Sequence, residues 1–114
     1  MKIGELAARS GLPAHTIRYY ERIGLMPPAQ RDGSRHRSYD ERTLIWIEFL
    51  GHLRTTGMPI RDMLAYARLR AAGEGTEAAR KDLLVAHRQV VRQRVRDLTD
   101  CLDVLDAKIA GYGD

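Results

Sequence analysis

From Thr76 to Ala110 the sequence contains neither proline nor glycine, the two residues that most readily interrupt a helix. Within that run the apolar residues keep a heptad spacing. Leu84, Val91, Leu98 and Leu105 fall on one seam, and Arg88, Val95, Leu102 and Ile109 fall on a second, each four residues after its counterpart. The spacing predicts one uninterrupted helix of about 35 residues, roughly 50 Å long at about 1.5 Å per residue. The whole chain has 114 residues, and the remainder is too small to bury a continuous seam of that length. The seam is therefore expected to pair with the same helix of a second copy, through Leu84, Val91, Val95, Leu98, Leu102, Leu105 and Ile109. Parallel and antiparallel pairings satisfy the period equally.

The rest of the chain is enough for one small domain. No apolar run reaches the roughly 18 residues of a membrane span, and the start, MKIGELAARS, carries Lys2, Glu5 and Arg9 where a signal peptide needs an apolar core. A soluble, cytoplasmic protein is expected, with no membrane partner. A single cysteine, Cys101, cannot close an internal disulfide or supply a multi-thiolate metal site. The four histidines lack the local spacing of metal ligands, so neither metal nor other cofactor is expected. The formal net charge of +4 suits an anionic partner, and its distribution is more telling: Arg31, Arg35 and Arg37, with His36, face only Asp32 in a short stretch.

Residues 1–75 divide into short elements. Ile3, Leu6 and Ala7 recur at helical spacing, and Gly11 offers a stop. Pro13 then opens a second helix to Ile23, with Ile17, Tyr20 and Ile23 on its apolar side, His15, Arg18, Tyr19 and Arg22 elsewhere, and Gly24 beyond its end. Two short helices joined by a glycine-containing turn predict a helix-turn-helix unit. Leu25–Asp40, with Pro27, Pro28, Gly33 and Ser34, then the basic run RHRSY as the closing turn, predicts a two-stranded ribbon. Asp40 caps a third helix whose inner face is Leu44, Ile47, Phe49, Leu50 and Leu53, ending by Gly57. Pro59 opens a fourth, with Ile60, Met63, Leu64, Ala67 and Leu69 inward, ended by Gly73 and Gly75. The fold class is mainly α: a winged helix-turn-helix head over 1–75 and a dimerisation helix with a short tail over 76–114.

The segments IGELAARSGLPAHTIRYYERIGLMPP and RSYDERTLIWIEFLGHLRTTGMPI, followed by a terminal coiled-coil helix, resemble in content and order the MerR-type transcription regulators. The resemblance spans the whole chain. It implies a homodimer joined by antiparallel terminal helices, each subunit contributing one winged head. It also implies binding of double-stranded promoter DNA at a pseudo-palindrome inside an overlong spacer, where bending and untwisting let RNA polymerase engage both promoter elements. Such deformation costs several kcal/mol in a sequence-dependent way, on the order of the elastic energy of a short bent duplex, so an effector need only bias the DNA shape the dimer holds. The phrase LRTTGMPI and the short length resemble the aldehyde- and electrophile-stress branch, without the metal-binding loop or large ligand domain of other branches. In the wing, Arg35, His36 and Arg37 stand where many relatives have glycine, tyrosine and arginine. Several stress-branch relatives place a cysteine where this chain has His52, which leaves His52 and Cys101 as the positions to consider for sensing an unknown small effector.

On this reading Arg18 and Tyr19 are the principal DNA contacts, because arginine reads guanine edges bidentately and a tyrosine hydroxyl bonds phosphate. His15 and Thr16 join them from the first turn. Tyr20 is placed between packing and an outward-reaching hydroxyl. Arg35 and Arg37 on the wing suit the minor groove or flanking phosphates, and Arg54 with the amides beside Pro59 suits the backbone. Trp46, Tyr66 and Tyr112 are read as packing residues ahead of an effector pocket. Two rival functions differ in class: an architectural or recombination-directing DNA-binding protein without effector response, against which the heptads argue, and a small enzyme, for which no phosphate loop or metal motif is present.

Overall fold

The computed structural model describes residues 1–31, 33, 34 and 36–113. Along these the elements are α1 (Ile3–Ser10), α2 (Ala14–Ile23), β1 (Gln30–Arg31), β2 (Arg37–Ser38), α3 (Glu41–Thr55), α4 (Ile60–Ala72) and α5 (Glu77–Ala110). The chain separates into two compact units, Met1–Glu77 and Ala78–Asp114. Among the described residues no helix is long and apolar enough to cross a membrane.

Each short helix of the first unit is bounded by local chemistry. Pro13 and Pro59 are N-caps rather than first-turn residues of α2 and α4, both with extended backbone and neither with a side-chain cap bond. Asp40 caps α3: its carboxylate accepts from the Thr43 amide at 2.9 Å and the Thr43 hydroxyl at 3.1 Å. These bonds favour the ionised form and hold the Asp40 carboxyl below the usual aspartate range. Gly24 closes α2 at φ 89°, and Gly57 lets the chain reverse after α3 at φ 88°. A side chain at either position would oppose a left-handed backbone.

α1 packs against α2 and α3, and α3 against α4. Leu6, Ile17, Leu25, Ile47, Leu50 and Met63 are fully enclosed between them. A side chain of this kind contributes about 1.5–3 kcal/mol on burial, so the interlocked helices supply the stability that none would have alone. Trp46 belongs to this core, whereas the expected Phe49 is only half-buried. The Trp46 indole N–H donates to the Leu25 carbonyl at 2.8 Å, which satisfies the one polar atom of an otherwise apolar ring. Tyr66 stacks on Trp46 with centroids 5.9 Å apart. In α4, Met63 and Ala67 are buried but Ile60 is 44 % exposed, because Ile60 lies at the helix mouth, beside the groove described below.

The wing is a two-stranded antiparallel ribbon with Gln30 opposite Ser38 and Arg31 opposite Arg37. Its turn contains Gly33 and Ser34, so the run RHRSY is not the closing turn as expected. Arg37 and Ser38 already form the second strand, since the glycine and serine supply the turn chemistry four residues earlier.

In the second unit α5 runs for 34 residues without a break. None of them is buried.

Candidate nucleic-acid interface

Ile17 and Tyr20, on one face of α2, are buried at 0 % and 2 % exposure. That anchoring turns His15, Arg18, Tyr19 and Arg22 to the exposed side, which accounts for so much aromatic and cationic surface on a short helix. Arg22 lies over the Tyr19 ring at 5.4 Å, and the Tyr19 and Tyr20 rings sit 6.3 Å apart. A guanidinium over an aromatic face is held in place at small cost in side-chain freedom. The first turn of α2 contains no acidic residue, so the positive end of its dipole is not neutralised by its own side chains.

Beside this face is an open groove of about 360 Å³. His15, Thr16 and Tyr19 form its α2 wall, while Arg54 and Met58 come from the end of α3 and the turn after it. Ile60 and Met63 of α4 close the far side. Tyr20 resolves into two parts: a ring in the core and a hydroxyl at the groove, where it accepts a hydrogen bond from Arg54 Nη1 at 3.2 Å. Arg54 is thereby steered toward the same opening as Tyr19, with other guanidinium donors left for a ligand. The N-terminus of α4 differs from that of α2, because Asp62 sits in its first turn, 3.8 Å from Arg61.

The wing arginines fall into separate classes. Arg35 lies outside the described residues. Arg37 is 41 % exposed and pairs with Glu21 of α2 at 3.4 Å, so it is tied to the head as well as facing outward. Tyr39, just after the strand, is buried and its hydroxyl donates to the other Glu21 oxygen. Burial, then the bond to that carboxylate, push the Tyr39 phenol above its ordinary pKa. Glu21 was not among the residues singled out from sequence. Nothing in its local spacing shows that a residue from beyond the wing turn reaches it.

His52 is exposed on α3, and its backbone carbonyl accepts from the Thr56 hydroxyl at 2.7 Å. Cys101 is a free, exposed thiol on α5. Along the heptad seam Val95, Leu98, Leu102, Leu105 and Ile109 are each more than half exposed, between 55 % and 66 %, while Leu84 and Val91 are half-buried.

A helix-turn-helix with a wing and a cationic, aromatic second helix is an arrangement fitted to a duplex. Residues 1–68 match the family described as MerR HTH family regulatory protein. The chain belongs to the MerR family. Among MerR relatives, it is 44 % identical over 89 residues to the HTH-type transcriptional regulator AdhR of Bacillus subtilis, an alignment covering 78 % of this chain and 64 % of that protein. This chain thus spans a little under two thirds of that relative's length. It is similar to a crystal structure from Listeria monocytogenes assigned to the MerR family, with a TM-score of 0.92, 40 % identity and coverage of 98 % of this chain and 85 % of that one. It is also similar to HiNmlR, described as a MerR family regulator lacking the sensor domain and bound to promoter DNA, with a TM-score of 0.88, 30 % identity and coverage of 97 % and 88 %. The wing, the helix order and the long last helix are therefore those of a MerR-family transcriptional regulator.

Proposed function

We propose that this chain binds double-stranded promoter DNA in the cytoplasm as a homodimer, the 76–114 segments pairing antiparallel and each 1–75 head presenting α2 to a major groove. Arg18 and Tyr19 make the central contacts, His15 and Thr16 flank them, and Arg54 with the Tyr20 hydroxyl and the amides beside Pro59 grips the sugar-phosphate backbone. Arg35 and Arg37 extend the contact along the wing. By deforming the duplex the dimer controls access of RNA polymerase, and a small effector or stress signal, with His52 and Cys101 as candidate sensors, shifts which DNA shape is held.

The observation that carries this reading is the convergence of Tyr19, Arg54 and the Tyr20 hydroxyl on one groove beside the acid-free start of α2. Support from outside the chain is the DNA-bound state of HiNmlR. The exposed heptad seam supports pairing of α5, since large apolar side chains in a regular row are stable in water only when covered.

Fluorescence anisotropy with a duplex from the gene's own upstream region, against a random duplex of equal length, tests the proposal. A preference of about a thousandfold or more for the upstream duplex is expected at moderate salt, the lower range for specific over non-specific binding. Equal affinity for the two duplexes would remove the basis for sequence-specific regulation.

A further inference from the structure

One charged group inside the head has no place in the interface just described. Glu21 stands in the last turn of α2, next to the buried Tyr20, and its side chain is only 10 % exposed. Both of its oxygens face the wing: the Tyr39 hydroxyl donates to Oε1, and Arg37 Nη1 lies 3.4 Å from Oε2. Tyr39 is a firm anchor, since its ring is buried and its amide donates to the Met1 carbonyl at 2.7 Å. A single carboxylate thus bridges the helix that faces the DNA and the second strand of the wing.

This ribbon has two residues in each strand. A two-stranded ribbon so short has little stability of its own, and its direction must come from contacts outside it. Hydrogen bonds to a carboxylate shielded from water are stronger and more directional than neutral ones. On electrostatic grounds alone an acid is the wrong residue between arginines on a surface meant for phosphate, because it subtracts from the attraction. Its contribution is therefore geometric.

We propose that Glu21 is a positioning residue that locks the wing to the recognition helix, so that the two meet the duplex at a fixed angle and separation. Arg37 serves as part of the lock as well as a phosphate contact. The inference rests on the DNA-binding reading above, and the sign of one measurement separates it from simple charge effects.

Glu21→Ala raises the net charge by one from +4. If Glu21 acted only through its charge, the variant would bind every duplex more tightly. As a positioning residue, its loss lowers the preference for the upstream duplex over the random one by about tenfold, the scale of one charge-assisted hydrogen bond, while random-duplex affinity stays level or rises. Glu21→Gln keeps an acceptor for the Tyr39 hydroxyl and is expected to restore most of the preference. Tyr39→Phe retains the buried ring and removes only the hydroxyl. It guards against misfolding and is expected to lose about threefold, the lower range for one hydrogen bond. Unchanged preference in both Glu21→Ala and Tyr39→Phe, or a uniform gain on both duplexes, would overturn the proposal. A wild-type protein with no preference overturns the DNA-binding reading itself, and this one with it.

Discussion

Leu50 and Ile17 of the head are completely buried, whereas Leu98 and Ile109 of α5 each keep 66 % of their surface exposed. The four are comparable apolar side chains in regular helices; what differs is what surrounds them. In the head, helices of 8 to 15 residues cross one another within a single chain and enclose a core from several sides. Along α5 the apolar residues form a line, and a line is covered only by another element of matching period. The head's stability is therefore a property of one chain, and that of the rod, under the proposed pairing, depends on concentration.

The comparison breaks most visibly at Leu98. Leu98→Asp places a charge in the proposed seam and is expected to convert a dimer to a monomer at micromolar concentration in sedimentation. Loss of paired binding would lower affinity for the upstream duplex by roughly a hundredfold or more, with the head still folded. A variant that stayed dimeric would relocate the subunit contact. Leu50→Ala should do the reverse: the head loses about 2–5 kcal/mol of stability, read by chemical denaturation, while the dimer persists at low denaturant.

Arg18→Ala touches neither core nor seam. Its expected effect is a loss of about 1–3 kcal/mol in binding, confined to the upstream duplex if Arg18 reads a base and shared by random DNA if it holds phosphate. The smallest effect concerns acid. Because the Asp40 pKa is depressed in the folded head, its cap contributes stability above the unfolded-state pKa. That contribution is lost as pH falls through the folded value, in the range below about pH 4. Asp40→Asn keeps a capping oxygen without the titration, so its melting temperature should fall less steeply in that range than that of the parent.

Much of this contrast was legible in the residues themselves. Heptads from Leu84 to Ile109 marked a continuous helix, and glycine or proline at positions 11, 13, 24, 57, 59 and 73 marked the boundaries of the short ones. These signals are local, with periods and breakers that act within a few residues. Less legible were the features made by distant pairs. Glu21 meets Tyr39 across 18 positions and Tyr20 meets Arg54 across 34, and neither separation leaves a periodic trace. Phe49 was expected to face inward and is only half-buried, and the bond that seats the Trp46 indole on the Leu25 carbonyl spans 21 positions. The second strand was obscured by its composition, since arginines suggest a loop until a partner strand sets their register.

Trp46 is the chain's single tryptophan, fixed between the Leu25 carbonyl, the stacked Tyr66 ring and the Arg70 guanidinium 4.1 Å from its own centroid. Under excitation that only indole absorbs, emission from this molecule consequently originates from one spot beneath the wing. A red shift in that glow would signal water arriving there.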